Sequence, residues 1–267
     1  MASDKVALVV KIGGSTLGSL DTCFEDLVTL QRQGIVPVVI HGGGPVITEW
    51  MQKQGLVPNF VRGLRVTDAS SLEIVVAVLT GLINKRLVGA ITALGGKAIG
   101  LSGVDGAMLQ AVFADQELGY VGAISNVSPA PILDVVSRGY IPVIAPVGVK
   151  LPETPGNESV LLNINGDTAA GHLAYALNAE KLVFMTDVEG VLDSSHRVIP
   201  RLTIPGARAL IESGTAGGGM IPKLEACLKG LERVSEARIV DGRSSGALLR
   251  ALSDEVGGTV IVQDRQT

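Results

Sequence analysis

Cysteine is almost absent from this sequence. Only Cys23 and Cys227 occur in 267 residues, too few for a disulfide framework and wrongly spaced for a zinc site. That usage is what a reduced, cytoplasmic protein is expected to show. Histidine is equally scarce, and His41, His172 and His196 are scattered rather than clustered as metal ligands would be. Aromatic residues make up 3% of the chain and charged residues 18%, with no basic block interleaved with aromatics, so nothing suggests a nucleic-acid partner. The net charge is −4. An acidic chain that handles an anion has to gather its few lysines and arginines in one place.

Long hydrophobic runs are missing too. No uninterrupted apolar stretch reaches the ~18 residues that cross a bilayer. The longest helical candidate, IVVAVLTGLI, is bounded by Glu73 and by Asn84-Lys85-Arg86. The apolar stretch near the N-terminus is too short for a signal peptide. The expectation is a soluble cytoplasmic protein without membrane contact. Two nucleotide-binding fingerprints are also lacking. In GGGPVI the third glycine of a Gly-x-Gly-x-x-Gly motif is replaced by Ile47, and in GGGMIP by Pro222. The Gly96-Lys97 pair that could close a Walker A loop is followed by Ala98. Both the dinucleotide-binding and the P-loop classes are thereby weakened.

What is present is apolar and regular. Hydrophobic residues make up 46% of the chain, ample for a large core. Short β-branched runs at 5–11, 35–41, 97–102, 141–146, 182–187, 237–241 and 259–262 alternate with helical patterns. Their nearly continuous apolar character suits parallel strands covered on both faces. Helices are expected after the HGGGP turn, from a Thr67/Asp68 cap, from Asp167 or Thr168, and after the glycine run at 217–219. Region 108–130 has the look of a β-hairpin, and 151–159 reads as a loop. The expected fold is α/β, with an open and mainly parallel sheet. A division near residue 178 would give lobes at 1–178 and 179–267.

Four glycine-rich turns interrupt this pattern: KIGGS (11–15), HGGGP (41–45), NINGDTAAG (163–171) and GTAGGGMIPK (214–223). Beyond the carboxyl ends of parallel strands, such turns let backbone N–H groups approach a phosphate, and a following helix N-terminus adds its dipole. One glycine pair alone is only a tight turn. Taken singly, Lys11 is a strand-end lysine, Asp167 an N-cap, Asn163 a turn residue and Arg65 a surface charge. Lys223 would sit in a helix's first turn, where a cation is disfavoured unless an anion lies nearby.

As a set, the motifs are more informative. VVKIGGS, IHGGGP, GLRVTD, LLNINGDTAAG, TDVEGVL and GGGMIPKL occur in the order and spacing of the amino acid kinase superfamily. GLRVTD and NINGD resemble the N-acetylglutamate kinase family in particular, and the similarity extends to the terminal GTVIV. The resemblance implies a three-layer αβα sandwich with an N-terminal substrate and dimerisation lobe and a C-terminal ATP lobe. It implies transfer of a phosphoryl group from Mg-ATP to the side-chain carboxylate of N-acetyl-L-glutamate, a step of arginine biosynthesis, with magnesium carried by ATP rather than by a protein site.

By the same resemblance, Lys11 and Lys223 stabilise the transferring phosphoryl group and Asp167 orients both. Gly13, Gly14, Gly43 and Gly44 offer backbone donors. Arg65 and Asn163 hold the substrate. Thr186, Asp187, Val188, Gly190, Val191 and Leu192, with Gly217, Gly218, Gly219 and Met220, line the nucleotide site. One departure is Gly166, where the family most often has alanine. The rivals are a related kinase acting on carrier-bound aminoadipate and a non-catalytic ligand sensor on the same fold. Arginine-inhibited relatives carry an extra helix before the first strand. Only MASD precedes it here, so a homodimer without arginine feedback is expected.

Overall fold

The computed structural model describes residues 6–13, 21–154, 156–253 and 257–263. In chain order the strands are β1 (Leu8–Ile12), β2 (Val38–His41), β3 (Phe60–Val61), β4 (Leu64–Arg65), β5 (Ala98–Ser102), β6 (Leu109–Phe113), β7 (Gly122–Val127), β8 (Ile141–Ala145), β9 (Val147–Lys150), β10 (Val160–Asn163), β11 (Lys181–Thr186), β12 (Arg201–Thr203), β13 (Glu236–Asp241) and β14 (Thr259–Val262). The α-helices are α1 (Asp21–Arg32), α2 (Gly44–Lys53), α3 (Ala69–Val76), α4 (Asn84–Ala93), α5 (Ala130–Ser137), α6 (Gly166–Ala176), α7 (Ile204–Glu212), α8 (Met220–Gly230) and α9 (Ala247–Leu252).

All seven apolar runs expected to be strands join one eight-stranded sheet, in the order β12-β14-β13-β11-β1-β2-β8-β5. Every pairing in it is parallel except β13 with β14. Side chains alternate faces along a strand, and β1 shows the consequence. Leu8, Val10 and Ile12 enter one core, with residues of α1, α2, α3 and α9. Val9 enters the other, with residues of α5, α6 and α8. Helices on both faces make the three-layer αβα sandwich. The same alternation puts Lys11 on the face of Val9, beneath α6.

The order is less strictly alternating than the sequence suggested. Between 109 and 163 the chain builds a second sheet, β10-β9-β6-β7. It contains the expected hairpin, β6 with β7, and adds the antiparallel pair β9 and β10 across the 151–159 loop. A small hairpin, β3 with β4, lies apart from both.

The helix expected from the Thr67/Asp68 cap is one long run. Helix continues through Asn84-Lys85-Arg86, so that α3, a π-helical stretch at Ala77–Ile83 and α4 form one rod of 25 residues, with a hydropathy of 1.8 over its most apolar window. By length and composition that rod could cross a membrane. Its apolar stripe, however, packs in the core with Ile47 and Met51 of α2. Asn84, fully buried, donates to Val143 O at 2.8 Å and Leu101 O at 3.2 Å and ties the rod to the sheet. Asp68 caps its start by accepting from Ser71 N at 2.7 Å.

The closest helix pair is α6 against α8, where a methyl group on Gly171 would collide with the backbone of Ala226. Overpacking costs about 1–3 kcal/mol and, against rigid backbone, outweighs the ~1 kcal/mol by which alanine is the better helix former. Gly171→Ala is therefore expected to lower the thermal midpoint by several degrees in calorimetry. An unchanged or raised midpoint would show that the two helices separate without loss.

Candidate active site

The site begins where β1 ends. Lys11 is 6% exposed and faces α6, and its Nζ lies 2.6 Å from Asp167 Oδ1. The other oxygen of the same carboxylate, Oδ2, accepts from Lys223 Nζ at 3.0 Å. One buried carboxylate thus bridges two ammonium groups from distant parts of the chain. Taken singly, Asp167 reads as an N-cap, but the contacts are those expected of the motif set, with both lysines on its carboxylate. The cap of α6 is Asn165, whose Oδ1 accepts from Asp167 N at 2.9 Å and Thr168 N at 3.0 Å. That leaves the Asp167 side chain free of capping, in a first turn where the helix dipole favours negative charge.

Burial works against every charge in this bridge, and the partners decide the outcome. For Asp167, burial alone would raise the carboxyl pKa, but Lys11 and Lys223 together hold it below its ordinary value. For Lys11, burial lowers the ammonium pKa. Asp167 opposes that shift, Lys223 adds to it, and Asp187 opposes it weakly. Lys223 stands in the first turn of α8, whose N-cap Gly219 offers no side-chain cap. Asp167 offsets the unfavourable dipole at that position.

Beside the bridge lies a cavity of about 330 Å³ lined by Lys11, Gly43, Gly44, Arg65, Asn163 and Asp167, among others. Its floor is the HGGGP turn. Gly42 N donates to Ile12 O at 2.9 Å, extending the ladder from β1, and α2 then starts with no side-chain cap and with Pro45 in its first turn. Gly43 has to be glycine, because a Cβ there would lie 2.5 Å from Ile83 Cδ1 and 2.7 Å from Leu79 Cδ2 on the π-helical stretch. His41 is fully buried and kept neutral, its pKa pushed down to about 4 by burial. Its Nε2 lies 3.3 Å from Asn84 Nδ2, and its Nδ1 donates to Gly42 O at 2.9 Å.

Arg65, at the end of β4, is 8% exposed, and no carboxylate pairs with it among the described residues. Its Nη2 donates to Gly44 O at 3.0 Å and to Thr48 Oγ1 at 2.8 Å, its Nη1 lies 3.1 Å from Met51 Sδ, and its guanidinium stacks 4.8 Å over the Phe60 ring. Thr67 links it to Asn163: Thr67 Oγ1 donates to Arg65 O at 2.9 Å and accepts from Asn163 Nδ2 at 3.1 Å. Gly166, the departure from the family pattern, leaves room for an alanine. A Cβ there would meet His41 O at 3.5 Å and Lys11 Cε at 3.6 Å, which is ordinary contact.

The residues expected to bind nucleotide are placed more loosely. Thr186 ends β11 and donates to Asp187 Oδ1 at 3.2 Å. Val191 N donates to Thr259 Oγ1 at 2.8 Å, while Val188 and Leu192 present exposed apolar side chains. Gly217, Gly218 and Gly219 are exposed, with no neighbour that a Cβ would touch, and Met220 opens α8 half-buried. Gly218 borders a wider cleft of about 750 Å³ between the α8 start and the β3–β4 hairpin. The stretch from Thr186 to Leu192 lines neither this cleft nor the smaller cavity. Gly13 N donates to Met185 O at 3.0 Å, so that donor continues the sheet. Gly14 lies outside the described residues. Sequence reasoning missed Thr48, Phe60 and Thr67 around Arg65. Only Thr48 carried a signal, one helical turn beyond Gly44.

Fold and site together define a class: an enzyme that transfers a phosphoryl group on an open αβα sheet. Residues 7–241 match the amino acid kinase family. An acetylglutamate kinase of Dehalococcoides mccartyi is 43% identical over 255 residues, covering 96% of this chain and 94% of that one. One from Caldanaerobacter subterraneus is 44% identical over 264 residues, covering 95% and 86%. N-acetylglutamate synthase from Neisseria gonorrhoeae, solved with coenzyme A and N-acetyl-glutamate, has a TM-score of 0.82 at 27% identity, over 97% of this chain and 60% of that one. The chain belongs to the amino acid kinase family, among the acetylglutamate kinases.

The bridge predicts a pH signature. Because the folded pKa of Asp167 is depressed, its stabilisation is complete above its unfolded pKa of about 3.9 and is lost as pH falls through the lower folded value. Asp167→Asn leaves two buried cations uncompensated, a change that typically costs about 3–5 kcal/mol. Denaturant melts should show a large stability gap to wild type at pH 7 that narrows below pH ~4. A gap of constant size across that range would contradict the ionised bridge.

Proposed function

We propose that this protein transfers the γ-phosphoryl group of ATP to the side-chain carboxylate of N-acetyl-L-glutamate, giving N-acetyl-L-glutamyl 5-phosphate for arginine biosynthesis. The observation that carries the reading is the charge pattern of the cavity. A buried arginine with no acidic partner among the described residues faces the same space as a lysine–aspartate–lysine bridge. A ligand with two carboxylates answers both ends, one pairing with Arg65 and the other presented beside Lys11.

The chemistry needs no general base, because a carboxylate nucleophile is already ionised near pH 7. What it needs is alignment and neutralisation of charge on attacker, phosphoryl group and leaving ADP. In this reading Lys11 acts on the side of the attacking carboxylate and Lys223 on the side of the leaving group. Asp167 holds the two ammonium groups at fixed separation. The α2 N-terminus at Gly43 and Gly44 offers uncapped backbone donors to the anionic oxygens, and Asn163 holds the substrate beside Arg65. Magnesium enters on the nucleotide, which lies along the Thr186–Leu192 stretch and the Gly217–Met220 turn. The substrate lobe covers 1–178 and the nucleotide lobe 179–267, joined through the pairing of β1 with β11. A cytoplasmic location belongs to the same reading.

The assay is ADP formation with N-acetyl-L-glutamate, set against glutamate, aspartate and carrier-bound aminoadipate. Removing one transition-state donor typically costs about 10²–10³-fold in turnover, so Lys11→Ala and Lys223→Ala should each fall in that range. Arg65→Ala should act mainly on the KM for N-acetyl-L-glutamate. Near-normal turnover in either lysine variant would sink the assignment, as would a preference for the carrier-bound substrate.

We further infer a homodimer paired through the long helical rod. Its outer side exposes the small residues Ala77, Gly81 and Gly89 beside half-buried Leu72, Val76, Leu82 and Val88. Small residues let a second copy approach closely, and the half-buried apolar ones gain by it. Sedimentation velocity should report twice the chain mass; a monomer or a hexamer would overturn this pairing.

A further inference from the structure

Arg65 carries five N–H donors, and the structure assigns three of them before any ligand is present. Two belong to Nη2, which donates to Gly44 O at 3.0 Å and Thr48 Oγ1 at 2.8 Å; the third lies 3.1 Å from Met51 Sδ. Nε–H and one Nη1–H are left without an acceptor among the described residues. These contacts differ in strength. A thioether sulfur is a weak acceptor. The Phe60 ring is 52% exposed and offers a face rather than a fixed point. Gly44 O belongs to the backbone at the head of α2. The Thr48 hydroxyl is the shortest of the contacts and the only side-chain oxygen on the guanidinium.

Gly44 and Thr48 are four residues apart, so both acceptors lie on one face of α2, one turn from each other. The same helix begins at the glycine turn that forms the cavity floor. Two recognition elements, the guanidinium and the uncapped N-terminus, are therefore indexed to one rigid rod. Without Thr48 the long arginine side chain keeps one backbone oxygen and a sulfur. It then regains rotamer freedom that substrate binding would have to remove.

We propose that Thr48 is a positioning residue: its hydroxyl fixes the Arg65 guanidinium relative to the glycine turn, and so sets the affinity for the substrate carboxylate. The proposal rests on the reading of Arg65 as the carboxylate-binding residue. Among the described residues Thr48 makes no hydrogen bond to Lys11 or Lys223, so its effect falls on binding and not on the chemical step.

The test is steady-state ADP formation with N-acetyl-L-glutamate and ATP varied in turn. The proteins are wild type, Thr48→Val, Thr48→Ala, Thr48→Ser and Arg65→Ala. Thr48→Val keeps the shape and removes the acceptor, and Thr48→Ala removes the acceptor together with the γ atoms should the valine fold poorly. Loss of a hydrogen bond to a charged group predicts an increase of about tenfold in the KM for N-acetyl-L-glutamate. The KM for ATP should not move, kcat should stay within about twofold, and Thr48→Ser should restore the wild-type KM. An unchanged KM in the valine and alanine variants would overturn the proposal. So would equal increases in all three Thr48 variants, or a parallel rise in the KM for ATP. Wild type inactive on N-acetyl-L-glutamate, or Arg65→Ala with an unchanged KM, would overturn the underlying reading of the site. An active wild type with a raised KM in Arg65→Ala and no change at Thr48 would overturn this proposal alone.

Discussion

The structure depends on one carboxylate. Asp167 is buried between two lysines that the chain delivers from opposite ends, Lys11 from the first strand and Lys223 from the first turn of α8. Neither lysine could be buried there unaided, because desolvation of an ammonium group is expensive. The carboxylate would equally be driven to protonate without them. Each charge is tolerable only in the presence of the others, so the bridge ties the site's assembly to the fold itself. The α6–α8 contact through Gly171, the capping of α6 by Asn165 and the strand alternation that turns Lys11 toward α6 all bring three charges to one point.

The second constraint is geometric. A site for an anion with two charged ends has to fix the distance between its anchors. Here α2 provides the ruler. Its head is the HGGGP turn, pressed so closely on the π-helical stretch that Gly43 admits no side chain, and its first two turns supply the acceptors for Arg65. His41 and Asn84 fasten the start of this turn from inside the core, with imidazole kept neutral by burial. A buried histidine in a phosphate-binding motif would otherwise invite a catalytic role. Its partners show it holding backbone, and a carboxylate nucleophile needs no base.

Much of this was legible in the sequence, for reasons that differ by element. The strands of the large sheet were readable because both of their faces are covered, which leaves nearly continuous apolar runs. β12 was not, because its three residues begin with the exposed Arg201. The second sheet was seen only as a hairpin. β9 and β10 are short, and the 151–159 loop between them hides their pairing. The rod was legible from its Thr67/Asp68 cap onward, because apolar residues recur at three- and four-residue intervals through the charged triplet. Asn84 in that triplet turns inward to backbone carbonyls while Lys85 and Arg86 stay exposed. At the site, residues in glycine motifs were found through resemblance. Asp167 alone looks like a cap, a task that Asn165, two residues earlier, performs instead; only the set of motifs pointed to its place between the lysines. Phe60 was invisible and Thr48 marked only by its place one helical turn beyond Gly44, since little that is local marks a residue whose task is to hold an arginine from another element.

The charges also explain why an acidic protein can bind anions. The chain carries −4 overall, but the cavity and its bridge gather Lys11, Lys223 and Arg65 around the Asp167 carboxylate. Three cations around one bridging carboxylate leave a local excess of positive charge, offset weakly by Asp187, in a partly enclosed space where screening by salt is weak. Arg65, with no carboxylate partner among the described residues, stands at one end and the bridged lysines at the other, so a singly charged anion compensates only one of them. A molecule with two carboxylates at the right separation compensates both, and it brings the second within reach of the lysines. In the proposed reading, selectivity and catalysis share one origin: positive charge is left for the substrate to compensate at two places, and the fold fixes how far apart they are.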